Sequence, residues 1–256
     1  MSSISSINNS TSYMDYGRFA SGKKIQSAAD GAAELSIIQK EDAQIRGQKA
    51  GENNIGAAKD MLNVAEGAMA GIADYLQRIR ELGVQASNTA TMTDADRASI
   101  QAEVEQLKQG ISDIASQTTF NTKEVLDGTY DKFQIATDAN GNGMEVTIAN
   151  ATLQMLGIED FDVTKDFSMQ DIDDALAKVN AGRSGMGAQT NALTFAYDNS
   201  ANGRLNHAAG KSRLEDLDFA EAISEKKKKE TLQEYALFMR KKRQNDEAKR
   251  MGSLFA

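Results

Sequence analysis

Residues 55 to 86 carry an apolar seam that repeats every seven residues, and few folds are open to a chain with such a seam. Ile55, Leu62, Met69, Leu76 and Gly83 mark one line of it. Ala58, Ala65, Ile72, Ile79 and Ala86 mark a second line in the same register, three residues later. This is the a/d pattern of a coiled coil, sustained over more than four heptads, and it needs a partner helix to cover it. At 1.5 Å per residue the seam helix extends for ~50 Å, more rod than globule. The covering helix is expected in the same chain near the C-terminus, with further partners supplied by other copies. Such a pattern points to an assembly protein rather than a catalyst.

Around the seam the chain reads as mainly α: an elongated, antiparallel, coiled-coil-like helical bundle with a small β-hairpin insert. A first helix is expected from Ser27 to Arg46. Gly47, Gly51 and Gly56 follow, each costing a helix ~1 kcal/mol relative to Ala, so a bent connection is expected there. After a turn at 88–92, Thr93 and Asp96 form a capping box. The stripe Ile100, Val104, Leu107, Ile111, Ile114 then predicts a helix folding back on the seam as an αα-hairpin. Phe133 and Ile135, the Gly/Asn-rich stretch 138–143, and Met144, Val146 and Ile148 predict a β-hairpin. Ser168 caps a returning helix whose stripe is Ile172, Leu176, Val179, Met186, Leu193 and Tyr197. This helix is expected to run, with interruptions near Gly203 and Gly210, to about Lys249.

Composition narrows the function. The 256 residues have a formal net charge of −8 and contain no Cys, Pro or Trp. Net acidity argues against nucleic acid as a partner. Without Cys there is neither a disulfide nor a thiolate metal site. This composition fits the cytosol and also a protein exported unfolded and refolded outside, where the absence of Pro would spare it slow X-Pro isomerisation. No stretch approaches the ~20 apolar residues that span a bilayer, so membrane insertion is not expected. The Ser/Asn-rich start lacks the basic and apolar regions of a cleaved signal peptide.

Chemistry-bearing residues are sparse. Asp138, Asn140 and Asn142 alternate like the start of a calcium loop, but Ala149 stands where the Glu ligand belongs, so a hairpin turn is the better reading. His207 is the only histidine and has no Cys beside it, which leaves neither a metal site nor a nucleophile–His pair. Met61, Met69, Met155 and Met186 read as packing residues. The runs Lys226–Lys229 and Arg240–Arg243 are interleaved with Glu225, Glu230, Asp246 and Glu247, as on a solvated or partner-docking helix face. No cofactor, metal or catalytic residue is assigned, and an enzyme is the class least supported.

Several blocks resemble the bacterial flagellins. Residues 21–30, Ser-Gly-Lys-Lys-Ile-Gln-Ser-Ala-Ala-Asp, with Ala33 and Ile37, resemble that family's SGxRINSAxDDAA block. Residues 76–86 resemble its LQRIRELAVQA signature, and 212–221 its SRIRDxDxAxE block. Ile100–Glu103, Ser116–Asn121 and Val125–Asp127 follow in the family's order. The resemblance implies a secreted filament subunit of the bacterial flagellum, exported without a cleaved signal peptide. It implies an inner-layer segment at 1–26, shortened and mobile; an N-terminal helical region at 27–127; a variable region at 128–171; a returning rod helix at 172–211; and a C-terminal inner-layer helix at 212–256. The expected partners are copies of itself or other flagellins, an export chaperone, and the filament cap and junction proteins.

The resemblance also implies site residues. Arg78, Leu82 and Glu103 match the positions at which flagellins contact Toll-like receptor 5 and the next subunit; the alternative reading is an exposed ion pair beside an edge-of-core leucine. Leu232, Tyr235, Leu237, Phe238 and Met239 are the apolar residues expected to meet the export chaperone. Two features depart from the family pattern: a shortened N-terminal segment, and a C-terminal helix far more basic than the usual Ala/Gln/Leu-rich one. They suggest an atypical or minor flagellin. The competing readings are a hook–filament junction protein and a secreted flagellin-like ligand or adhesin that does not polymerise.

Overall fold

The structure is a computed structural model that describes residues 16–88 and 90–254. Helix α1 covers 16–21, α2 Ala32–Ala86, α3 Asp94–Gln117, α4 Leu153–Leu156, α5 Met169–Glu215 and α6 Phe219–Leu254. Two antiparallel hairpins lie between α3 and α4: β1 Thr119–Phe120 with β2 Lys123–Glu124, and β3 Lys132–Ala136 with β4 Gly143–Thr147. The chain divides into two compact units, one made of 44–205 and the other of 1–43 with 206–256. The N-terminal segment expected to be mobile falls largely on 1–15, outside the described residues; 16–21 are helical.

Within 44–205 the seam is buried as the repeat requires. Ile55, Leu62, Met69, Leu76, Ala58, Ala65, Ile72, Ile79 and Ala86 all lie in the core. The cover comes from two sides. Helix α3 runs antiparallel to α2, with Tyr75 against Gly110 and Ile114 against Gly71. Its start is set by the Thr93/Asp96 capping box, in which Thr93 Oγ1 accepts from the Asp96 N–H and Asp96 accepts from the Thr93 N–H. Helix α5 covers the other side with its own heptad of buried residues, Ile172, Val179, Met186, Leu193 and Ser200. A row of polar contacts flanks this second seam on α2 at positions 52, 59, 66 and 80, all in one heptad register. Glu52 meets Arg204, Lys59 meets Thr194, Glu66 meets Arg183 and Arg80 meets Asp173. Their partners descend along α5 as α2 ascends, so the two helices are antiparallel.

Two helix expectations are corrected. No bend separates a first helix from the seam helix: α2 is continuous for 55 residues through Gly47, Gly51 and Gly56. Two of these glycines are contact points. A Cβ at 47 would lie 2.5 Å from the Ala139 Cβ, and one at 51 would lie 2.5 Å from the Thr137 carbonyl oxygen. The turn of the β3–β4 hairpin therefore sits directly on the α2 backbone, and Asn54 Nδ2 donates to the Ala136 carbonyl beside it. Similarly, α5 passes uninterrupted through Gly203 and Gly210. The break comes at 216–218, where the chain pairs with the loop after α1: Lys24 N–H donates to the Glu215 carbonyl and Leu217 N–H to that of Gly22. Tertiary pairing outside the helix, rather than a breaker residue, ends α5.

The predicted hairpin is present, with Phe133 opposite Val146 and Ile135 opposite Met144. The smaller β1–β2 hairpin carries no strong pattern; its turn places Asn121 and Thr122 at φ 48° and 65°. Two side chains of the predicted apolar set point outward. Met155 is 54% exposed and Tyr197 40% exposed, so neither is a packing residue within the described chain.

Candidate assembly and recognition surface

The α2–α3 hairpin brings residues 78 and 103 together. Arg78 Nε donates to Glu103 Oε1 at 2.9 Å, and its Nη1 donates to Glu81 Oε2 at 3.0 Å. The hydrogen bond to Glu103, then that to Glu81, raises the Arg78 pKa above its ordinary value. Both partners are about half exposed, so the pair adds little to stability but holds a positive and a negative group at fixed places on the surface. Leu82 lies one turn further along α2 and is only 2% exposed. It belongs to the core beneath this surface, and Arg78 and Glu103 form the accessible part. The neighbouring Gly83 has a packing reason: a Cβ there would lie 2.7 Å from the Met169 sulfur at the start of α5.

Residues that the sequence reading passed over fix the loop beyond α4 to this surface. Lys108 is 7% exposed; its ammonium donates to Glu105 at 3.1 Å and reaches the Phe161 carbonyl at 3.4 Å. Gln101 accepts from the Val163 N–H at 2.8 Å. Lys108 stands four residues after Val104 and three before Ile111, on the helix's apolar face. That spacing was the available signal; its charge disguised it.

In the unit formed by 1–43 and 206–256, the ends of α2 and α5 are joined by charge. His207 Nδ1 lies 2.5 Å from Glu41 Oε2, and Lys211 donates to Asp42 at 2.5 Å. The hydrogen bond to Asp42 raises the Lys211 pKa, against the opposing effect of burial. Asp30 organises the loop before α2: it accepts from Arg18, from the Ser27 hydroxyl and from the N–H groups of Ser27 and Gln26. These bonds, with Arg18 the strongest contributor, hold its carboxyl far below the usual range. Helix α6 begins with Phe219 against Phe19, and Lys226 lies over the rings of Tyr16 and Phe19. Further along α6, Leu232, Tyr235, Leu237 and Phe238 are exposed and Met239 is half-buried.

The calcium-loop pattern resolves into a turn. Asp138 accepts from the N–H groups of Asn140 and Asn142 and from the Asn142 side chain, and so caps its own loop. Among the described residues no group of three or more His, Cys, Asp or Glu side chains could hold a metal ion, and no helix is long and apolar enough to cross a membrane.

Comparison with known proteins decides the family. Residues 1–131 match the bacterial flagellin N-terminal helical region, and residues 169–248 match the bacterial flagellin C-terminal helical region. The chain belongs to the bacterial flagellins. It is 36% identical to a flagellin of Bacillus subtilis (strain 168) across 86% of this chain and 85% of that one. It is 35% identical to a flagellin of Halalkalibacterium halodurans across 81% and 79%. The crystal structure of Bacillus cereus flagellin is 28% identical, with a TM-score of 0.50 over 58% of this chain and 88% of that one. Membership makes this flagellin a structural protein of the bacterial flagellum. The stretch between the two matched regions, 132–168, holds the β3–β4 hairpin and α4, so the hairpin that sits on α2 lies in the part of the molecule that neither matched region covers.

Proposed function

We propose that this flagellin is a subunit of the extracellular flagellar filament, packing lengthwise against copies of itself or other flagellins. The observation that carries the reading is a set of large apolar side chains left exposed on the same helices whose inner seams are filled. Val64, Tyr75 and Val84 lie on α2; Phe195, 75% exposed, and Leu205 lie on α5. Single exposed apolar residues are ordinary, but repeated ones along two paired helices suit a lattice of parallel neighbours. On α6, Leu232, Tyr235, Leu237, Phe238 and Met239 are assigned to the export chaperone before assembly and to the inner layer after it. The Lys226–Lys229 and Arg240–Arg243 runs on the same helix favour co-assembly with a less basic flagellin over a filament of this chain alone. Sheared filament seeds mixed with purified monomer test this: the monomer should sediment with seeds of a neutral-tailed flagellin. Monomer left in the supernatant in every mixture would support the non-polymerising ligand instead.

The surface made by Arg78 and Glu103 is assigned to contact with Toll-like receptor 5, with Leu82 setting the position of the α2 turn beneath it. A receptor reporter assay on the monomer checks the assignment. Arg78→Ala should reduce the response while leaving the helical spectrum unchanged; an equal response from both proteins would refute it.

A further inference from the structure

Asn-Gly occurs three times, at 140–141, 142–143 and 202–203. The structure places the three steps in very different surroundings. In each, the glycine N–H could attack the preceding side-chain carbonyl carbon, because glycine has no Cβ to hinder the approach. Attack requires that the glycine amide be free to turn and that the asparagine side chain not be held.

Asn202–Gly203 lies inside α5, where the amide is committed to the helix ladder, and the Gln48 side chain closes over Gly203. Asn142–Gly143 is equally fixed. The Asn142 side-chain amide donates to Asp138 at 2.9 Å, and the Asn142 backbone carbonyl accepts from the N–H groups of Thr137 and Asp138. Gly143 pairs with Ala136 in the ladder, so close to the Ile135 carbonyl that a Cβ would lie 1.7 Å from its oxygen. Asn140–Gly141 differs in its side chain and in the space around its glycine. Asn140 is exposed, and no described residue bonds its side chain. Gly141 has φ +84° with open space where a Cβ would be. Its amide is held by Asp138 alone, through the carbonyl at 3.4 Å, the long end of a hydrogen bond, and through a weak contact with the carboxylate, and not by the helix or strand ladder that fixes the other two.

We propose that Asn140 is a site of spontaneous deamidation, and that it ages the hairpin turn selectively in the folded chain. The Gly141 nitrogen bonds to Asn140 Cγ. The Cγ–Nδ2 bond breaks, and ammonia leaves with the Gly141 amide proton. Water then opens the cyclic imide at either carbonyl, giving aspartate or isoaspartate. No enzyme or further reactant is needed. The position gives the change a structural effect, because Thr137 and Ala139 in this turn rest on Gly51 and Gly47 of α2. Isoaspartate inserts an extra backbone atom into a turn pinned at both ends by Asp138 and Asn142, and either product sets a second carboxylate near that of Asp138. The turn is thereby pushed off the helix.

The test is to age the full chain in mildly alkaline buffer, folded and in denaturant, and to digest it after Lys132 and Lys165. Electron-transfer fragmentation of the 133–165 peptide separates conversion at 140 from conversion at 142 and identifies isoaspartate; the peptide holding Asn202 is followed alongside. In the folded chain Asn140 should convert at least about tenfold faster than Asn142 and Asn202, and in denaturant the three rates should converge, because the difference comes from local structure. Asn140→Ser should remove the fast conversion without moving it to Asn142. Equal rates at 140 and 142 in the folded chain, or an Asn140 as slow as Asn202, would overturn the proposal.

Discussion

Replacing Gly51 by Ala sets two well-measured effects against each other. In an exposed helix, Gly→Ala stabilises by ~0.8–1.0 kcal/mol, because glycine loses more backbone entropy on folding. Gly67 offers that case: it is exposed on α2, with nothing near its Cβ direction. At Gly51 the new methyl would lie 2.5 Å from the Thr137 oxygen and 2.7 Å from its carbonyl carbon. Both are backbone atoms, so no side chain can swing away, and the turn must retreat by about an ångström. Overpacking of this kind costs ~1–3 kcal/mol. Subtracting the helix gain leaves Gly51→Ala destabilising by roughly 1 kcal/mol. For a chain of this length 1 kcal/mol corresponds to about 2–4 °C in Tm. In thermal melts followed by circular dichroism, Gly67→Ala should rise by about that amount and Gly51→Ala fall by a similar one. Limited trypsinolysis at Lys132 should also quicken in Gly51→Ala alone. If Gly51→Ala melts as high as Gly67→Ala, the hairpin does not rest on α2 and the reasoning fails.

Three further outcomes follow from the same packing. Leu62→Ala removes a fully buried seam residue and should cost ~2–5 kcal/mol, read as a shift in urea midpoint at unchanged slope; a cost under ~1 kcal/mol would mean that the seam is not closed within the chain. Glu52 is buried; burial pushes its carboxyl upward, but hydrogen bonds from Arg204 and Lys49 outweigh this and hold it below the usual range. Its stabilising contribution is therefore present above its unfolded pKa of ~4.3 and lost as pH falls through the lower folded value, so Glu52→Gln should be destabilised at neutral pH and flatten the acid limb of a stability–pH curve. Thr93→Ala breaks the capping box and should cost ~1 kcal/mol, with the start of α3 losing amide-exchange protection first.

The helical plan was legible because periodicity is a local signal. The seam of Ile55, Leu62, Met69 and Leu76, the α3 stripe, the Thr93 cap and the Asp138–Asn142 turn each show themselves within a few residues. The misreadings share a cause: the deciding contact lies far away in sequence. Gly47 and Gly51 look like helix breakers until the turn at 137–139 is laid on them. Gly203 lies inside α5 with Gln48 packed where its Cβ would be. The break at 216–218 has no glycine or proline and is made by pairing with 22–24. Of the recognition residues, Arg78 and Glu103 could be paired from the α2–α3 hairpin register, and Leu82 was recognisable as an edge-of-core residue but not as one so fully enclosed. Lys108 was hidden because a charged residue on an apolar stripe reads as an interruption until its ammonium is traced to Glu105 and the Phe161 carbonyl.

The central claim is the proposal that exposed apolar side chains of α2 and α5, Phe195 foremost, meet neighbouring flagellin subunits. Electron microscopy with sedimentation of monomer added to sheared seeds of a neutral-tailed flagellin, comparing the chain with Phe195→Asp, tests it most directly. Wild-type chain should lengthen the seeds and pellet with them, while Phe195→Asp should keep its helical content and stay in the supernatant. Seeds that Phe195→Asp extends as well as the wild type does, or that neither protein extends, would contradict it.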